Sequence, residues 1–382
     1  MDVLLNFLPL KSGGGLQVGL DFIEQAKRAP AGHRWYLVAT AGTPLAETRQ
    51  CAAVQVSKVV QREPAARLWF ESVGCRELLR AHDPAVVYTQ FGPHWPGASH
   101  AVNVVGCAYS NLCYPEIDFW GRLPPVQRRW RTMLDHLRRR RVQRADAVIF
   151  ETEDLAERGI RHLGLKRDRV HVVRPSVSSL VSESTRHAET AERCRALPQG
   201  FRVLLLSVYH PNKNFELLPG IAAALRKRSK ADDTVFVVTL PAQSPHWRAL
   251  ESAAAAFGVT DKLFNFGPVP QQGCAELYRA CDAVILPSQL ESFSNTIAES
   301  WTLGRPLLIA NLPWARALCG PAAAYFSYDS PGSAAESISQ LRSDAAFRAQ
   351  LVTAGRDQLA QYPSAEQRFG HYVSILEQHA KR

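Results

Sequence analysis

The chain contains no Asp-x-Asp triplet, no His-Glu-x-x-His and no Cys-x-x-Cys pair. The first absence leaves nothing that suggests a metal-chelated diphosphate. The other two remove the usual zinc-hydrolase, zinc-ribbon and redox-pair patterns. A Gly-x-x-x-x-Gly-Lys-Ser/Thr stretch is also missing, which excludes a P-loop ATPase. No apolar run approaches the ~18–20 residues that span a bilayer. The first ten residues carry neither a basic flank nor a small-residue cleavage site, so no secretory leader is expected. Eight cysteines lie scattered at 51, 75, 107, 113, 194, 274, 281 and 319. In a chain of this size that spacing fits reduced thiols in a cytoplasm rather than a disulfide framework.

What is present is enough for two cores. The chain has 382 residues, 46% of them hydrophobic and 21% charged, which favours two domains of roughly 150–200 residues each. The formal charge is +10 and unevenly spread. Between Arg122 and Arg144 there are nine arginines against one acid, Asp135. Such a run asks for an anionic partner: a membrane surface, a lipid-linked phosphate or a nucleic acid.

Short apolar runs alternate with helical patterns. In the first half, strands are expected at Val3–Leu10, Arg34–Thr40, Val86–Gln90, Val102–Gly106, Ala147–Glu151 and Val170–Val173, with helices at Val18–Arg28 and Leu155–Leu163. Residues 176–200 turn polar and read as a linker followed by a short helix. A second alternation then brings strands at Arg202–Val208, Thr234–Leu240, Lys262–Phe266, Ala283–Pro287 and Pro306–Ala310. Ala365–Gln378 closes the chain with helical periodicity. The pattern predicts an α/β protein of two doubly wound domains facing a central cleft. The expected boundaries are 1–180, a linker at 181–200, a second domain at 201–362 and a terminal helix at 363–382, drawn as crossing back to the first domain.

The densest local signal runs from Leu286 to Ser300, where an apolar strand enters a polar loop and then a helix. Glu291 falls at the strand exit and Glu299 in what reads as the first helical turn. Small polar residues between them, Ser294, Asn295 and Thr296, let backbone N–H groups approach a diphosphate at the positive end of the helix. Glu299 in that position can accept from ribose hydroxyls. Read without its neighbours, Thr296-Ile-Ala-Glu299 is a capping box and Glu291 a solvated loop acid. Lys213, after the first strand of the second half, belongs on the same sheet edge and can neutralise a diphosphate without metal. Alone it would read as a surface lysine. At the first strand–helix junction, Gly13, Gly14, Gly15 and Gly19 permit a tight turn and close approach to a ligand. Their spacing misses the dinucleotide fingerprint by one residue, and the second strand ends in Thr40 with no acid for a ribose.

Taken together, these stretches resemble the retaining GT-B glycosyltransferases of family four, the group 1 proteins. The resemblance rests on Phe264–Val269, on Glu276–Ser288, on the Glu291/Glu299 pair, on Gly304–Pro313 and on Cys319–Phe326. It covers most of residues 200–340. In the first half it is carried by the glycine segment and by Ala145–Glu153. The resemblance implies a GT-B fold and a nucleotide-sugar donor, with no cofactor and no metal. It assigns Glu299 to the donor ribose, Glu291 and Lys213 to the sugar and diphosphate, and Phe293, Ser294, Asn295 and Thr296 to further donor contacts. Phe266, Gly267 and Pro268 would flank the base, and Gly14 and Gly15 would close over the donor. Members usually carry an arginine five or six residues before the lysine. Here Ser207 and Val208 stand there, with His210 as the candidate substitute. Many also have a histidine after a middle strand of the first domain. Here that region reads Gly106–Asn111, leaving Tyr109 and Ser110, with His94 nearby, as candidates on the sugar or acceptor side.

Val126, Trp130, Met133, Leu134 and Leu137 recur at helical spacing among the arginines of 122–144. This stretch reads either as a solvated helix packed on its own domain or as a monotopic contact with anionic lipid at the inner face of a membrane. No RNA-binding motif accompanies it, so no nucleic acid is expected. The expected function is transfer of a sugar from a UDP- or GDP-sugar to a glycan or lipid-linked glycan, in surface polysaccharide or lipopolysaccharide synthesis. The alternatives are a nucleotide-sugar epimerase or phosphorylase-like enzyme on the same fold, and a non-catalytic basic membrane- or RNA-binding protein.

Overall fold

The computed structural model describes residues 1–382 apart from Ala31, residues 93–99, Ser179 and Arg382. His94 therefore lies outside the described residues. The chain divides into two compact units, one of Met1–Ser176 with Pro363–Arg382 and one of Val177–Tyr362.

The first unit is built on a parallel sheet of seven strands: β1 Asp2–Asn6, β2 Arg34–Thr40, β3 Val54–Val60, β4 Val86–Gln90, β5 Val102–Gly106, β6 Ala147–Phe150 and β7 Val170–Val172. Their spatial order is β3-β2-β1-β4-β5-β6-β7, so the connection reverses direction between β1 and β4. The inner strands are continuous apolar runs because helices cover both faces of the sheet. Phe22 of the helix Gly13–Arg28 meets Trp35 edge-on at 5.4 Å, and Phe369 of the terminal helix Ala365–Ala380 at 5.0 Å. A capping box fixes the start of that terminal helix: Ser364 accepts from the Gln367 N–H, and the Gln367 side chain accepts from the Ser364 N–H.

Several expectations need correction here. β1 stops at Asn6, where the chain turns: the Leu8 N–H donates to Asn6 Oδ1 and the Leu10 N–H to the Phe7 carbonyl instead of to a neighbouring strand. The helix expected from Val18 begins at Gly13, so the three glycines form its first turn rather than a free loop. β3 was not expected, since only its ends are buried. Nor was the helical run Pro64–His82, whose middle, Phe70–Gly74, is a π-helix.

The second unit carries six parallel strands: β8 Arg202–Leu205, β9 Val235–Val238, β10 Leu263–Asn265, β11 Ala283–Leu286, β12 Leu307–Ala310 and β13 Ala324–Phe326. They lie in the order β10-β9-β8-β11-β12-β13, with the reversal between β8 and β11. The segment expected as a linker is part of this unit, which begins at Val177 rather than 201. Its helix Ala188–Cys194 is capped by His187, whose ring nitrogen accepts from the Thr190 N–H, and the His187 N–H in turn donates to Glu276.

Trp301 is one anchor of the helix Asn295–Thr302. It is buried and donates its indole N–H to the Ala322 carbonyl at 3.0 Å. Gly355 of the helix Ala345–Leu359 lies against the same indole, and a Cβ there would fall 2.4 Å from Trp301 Cδ1. Gly355→Ala is expected to destabilise this unit by about 1–3 kcal/mol through overpacking. Urea denaturation followed by tryptophan fluorescence measures it.

Candidate active site

β8 and β11 are neighbours, and the loops leaving their C-terminal ends diverge. This is the switch point at which open α/β sheets hold ligands. Lys213 follows β8 and Glu291 follows β11. The structure joins them: Lys213 Nζ donates to Glu291 Oε1 at 2.6 Å, with the two side chains only 17% and 11% exposed. The two loops are also stitched by backbone. The Gln289 N–H donates to the Asn212 carbonyl at 2.7 Å, and Asn212 Nδ2 donates to the Leu290 carbonyl at 2.8 Å. Asn214, at φ +55°, turns the chain back into the following helix. The pair is thus held by its loops rather than by two flexible side chains alone.

His210 sits at the head of the same loop. Its Nδ1 accepts from the Asn212 N–H at 3.3 Å, which shapes the turn that presents Lys213. Thr296 Oγ1 donates to the Leu206 carbonyl at 3.4 Å, tying the helix Asn295–Thr302 to the exit of β8. Ser294 is the N-cap of this helix but makes no side-chain cap. Its first-turn N–H groups therefore lack the usual side-chain acceptor, a suitable setting for an anion. Phe293 lies 6.0 Å from the Tyr362 ring, centroid to centroid.

Glu299 differs from the sequence reading. The true cap is Ser294, so Glu299 lies beyond the first turn and Thr296-Ile-Ala-Glu299 does not form a capping box. The side chain is buried, and its Oε2 accepts from the Tyr278 hydroxyl at 2.9 Å. Burial pushes its pKa up to about 7, and the Tyr278 hydrogen bond only partly opposes this. Glu299 is therefore a buried carboxyl hydrogen-bonded to Tyr278 rather than a solvated loop acid.

The Phe266–Pro268 turn is covered by a residue that sequence reading missed. Arg193 stacks its guanidinium over Phe266 at 4.2 Å and donates to the Phe266 carbonyl at 2.5 Å and the Pro268 carbonyl at 3.4 Å. The Phe266 ring is buried, while Gly267, at φ +80°, and Pro268 remain accessible. Asn265 Oδ1 accepts from both Leu240 and Gly267 and fixes the turn from behind. The only advance signal for Arg193 was its place in a polar Ala/Glu/Arg stretch, which carries no spatial information.

Gly14, Gly15, Tyr109 and Ser110 belong to the first unit. Gly15 lies against Phe91, just past β4, with its Cβ position 3.5 Å from Phe91 Cδ2. That places it at the switch point of the first sheet. Tyr109 lies beneath the Arg138 guanidinium at 4.9 Å, and burial raises its hydroxyl pKa to about 12 despite that charge. Ser110 is buried.

Two doubly wound units, one with a Lys–Glu pair and an uncapped helix start at its switch point, make an α/β protein of the GT-B class. The comparisons fix the family. The model described as Glycosyltransferase Family 4 matches residues 13–179, and that described as Glycosyl transferases group 1 matches residues 195–358. The chain belongs to the family-four, group 1 glycosyltransferases. It is similar to the D-inositol 3-phosphate glycosyltransferase of Xylanimonas cellulosilytica, 30% identical over 178 residues, covering 44% of this chain and 41% of that protein. The matched stretch thus spans less than half the length of that relative. Two solved structures share the fold. One is Alr3699/HepE of Anabaena in complex with UDP and glucose, at TM-score 0.72 and 16% identity over 99% of this chain and 100% of that one. The other is WaaG, a glycosyltransferase involved in lipopolysaccharide biosynthesis, at TM-score 0.70 and 16% identity over 100% of this chain and 99% of that one.

Proposed function

We propose that the protein is a retaining, metal-independent glycosyltransferase that moves a sugar from a UDP- or GDP-sugar to a glycan or lipid-linked glycan. The observation that carries this is the Lys213–Glu291 pair across the β8/β11 switch point. With no donor bound, the two charges neutralise each other. A diphosphate arriving at the N-terminus of helix Asn295–Thr302 competes for Lys213 and leaves Glu291 to turn toward the sugar hydroxyls. Glu299 takes the ribose hydroxyls. The bond between the anomeric carbon and the phosphate oxygen breaks, and the acceptor oxygen bonds to that carbon on the same face. The acceptor proton passes to the departing phosphate. Positive potential from Lys213 and the helix N-terminus stabilises the charge that develops on the leaving group. Phe293 and Asn295 lie beside the same helix start as further donor contacts. Tyr109 and Ser110 are the first unit's candidates for the acceptor side.

The test is a thermal-shift panel of UDP-, GDP- and ADP-sugars. A donor that binds only the native state raises the midpoint by mass action. Product should then appear only when an acceptor is added, which separates transfer from epimerisation. Unchanged nucleotide-sugar binding in Lys213→Ala and Glu299→Ala would sink the reading. Arg193→Ala, by contrast, should act through the turn: the donor KM rises several-fold while kcat is nearly kept, because Arg193 bonds only to protein carbonyls. Steady-state kinetics at varied donor concentration reads that split.

A role at the cytoplasmic face of a membrane, in surface polysaccharide or lipopolysaccharide synthesis, is part of the same reading. It is supported by the helix Pro125–Gln143. Val126, Trp130, Met133 and Leu137 share one narrow arc, at about 100° per residue, and are 46–80% exposed. The two buried residues of this helix, Asp135 and Val142, lie on the opposite arc. Asp135 accepts from Asn111, Trp120 and Arg138 and so anchors the helix by its polar side. An apolar stripe flanked by arginines and turned to solvent fits anionic lipid better than a helix packed on its own core. No helix among the described residues is long and apolar enough to cross a membrane.

A further inference from the structure

The run Pro64–Trp69 into Phe70–Gly74 shows the same inversion. Leu68, Trp69 and Val73 face solvent at 50–62% exposure, while Phe70, Glu71 and Gly74 are buried. The buried Glu71 joins this run to the helix Pro125–Gln143: it accepts from Arg67 at 2.7 Å and pairs with Arg141 at 3.5 Å. Seven of the ten large apolar side chains that stand exposed among the described residues lie on these two elements.

We infer that the two helices form one docking face for an anionic bilayer, with Trp69 and its neighbours as a second anchor beside the arginine-rich helix. The inference rests on the membrane reading given above and adds the second element to it. Charge selects the occupant. The single acid within residues 122–144, Asp135, is buried and pairs with Arg138, and Glu71 and Asp118 pair with Arg141 and Arg128 from outside the stretch, so three acids face the nine arginines and the face keeps a strong positive excess. A second copy of the chain would press two such faces together against like-charge repulsion. Anionic headgroups complement them instead, and Trp69 and Trp130 are residues that favour the headgroup level. Two anchors on adjacent helices also fix the angle at which the first unit meets the surface, which one helix free to roll would not.

The test is co-sedimentation of the full chain with vesicles of phosphatidylcholine alone and of phosphatidylcholine mixed with phosphatidylglycerol. The wild type should bind only the mixed vesicles. The Leu68→Ser/Trp69→Ser/Val73→Ser variant should bind them about tenfold more weakly or worse, at an unchanged thermal midpoint. The Trp130→Ser/Met133→Ser/Leu137→Ser variant should show a similar loss. If the triple change perturbs folding, the single Trp69→Phe variant serves. In wild type, brominated lipid should quench a component of the fluorescence that this variant lacks. Wild type that fails to bind the mixed vesicles overturns both the membrane reading and the inference. Loss confined to the Trp130 variant overturns the second anchor and leaves the helix reading intact. A dimer at assay concentration that Trp69→Ser dissolves would assign the face to a second copy instead.

Discussion

Lys213→Ala is expected to lower kcat for sugar transfer by about 10²–10³-fold, the usual effect of removing one preorganised group that meets developing charge. The structure makes this more than a count of charges. Lys213 is the partner of a Glu291 carboxylate that is only 11% exposed. Removing the lysine takes away the group that would meet the diphosphate and leaves an uncompensated negative charge where the diphosphate should arrive. Both effects oppose donor binding. Glu291→Gln has a different consequence: Lys213 stays and loses its competitor, so UDP binding should hold or tighten while kcat falls, because the sugar contact is gone. The double variant Lys213→Ala/Glu291→Gln should cost far less than the product of the two single losses, since one ion pair is being removed twice. Isothermal titration with UDP, together with single-turnover transfer, measures all three. Equal loss of UDP binding in both single variants would mean that the pair only holds the loops together. Lys213→Arg should recover part of the activity, because the guanidinium keeps the charge but does not reproduce a one-point contact of 2.6 Å.

The sequence placed the two residues on one sheet edge but did not foretell their ion pair. The strand runs gave the sheet edge, because buried parallel strands are written as unbroken apolar stretches such as Ala283–Leu286 and Leu307–Ala310. The switch point itself needed the strand order, which no periodicity encodes. Edge elements were harder: β3 alternates weakly, and Ala324–Phe326 is too short to stand out from its alanines. The run Pro64–His82 was hidden for a physical reason. Leu68, Trp69 and Val73 face outward among the core-facing Phe70, Cys75, Leu78 and Leu79, and this mixture blurs the helical stripe. Arg193 was invisible because a guanidinium that stacks on Phe266 reads in sequence like any arginine of a polar stretch.

Glu299 was misread in a more instructive way. Thr296-Ile-Ala-Glu299 mimics a cap, but the helix begins two residues earlier, at Ser294, and this turns the carboxyl inward toward Tyr278. The consequence is a trade between stability and function that can be measured. In the ligand-free protein the Glu299 pKa is raised to about 7 from an ordinary value of 4.5. Between those values the folded state holds the proton and the unfolded state has lost it. Stability therefore falls as pH rises through this window, and above about pH 7 the buried charge costs on the order of 3 kcal/mol. Glu299→Gln removes the ionisation and should stabilise the protein at pH 8 by up to that amount, with little change at pH 4.5. Urea denaturation at the two pH values reads the difference. Donor binding should move the other way. Ribose hydroxyls donate to the carboxylate and favour its ionised form, so donor affinity in the wild type should weaken as pH drops below about 7. In Glu299→Gln the affinity should be about tenfold or more lower at pH 8 and nearly independent of pH, since a charge-assisted hydrogen bond is worth roughly 1.5–3 kcal/mol. A variant more stable than its parent yet poorer at holding donor is the signature of a carboxyl kept buried for its ligand. Lower stability at both pH values with unchanged donor affinity would return Glu299 to a structural role.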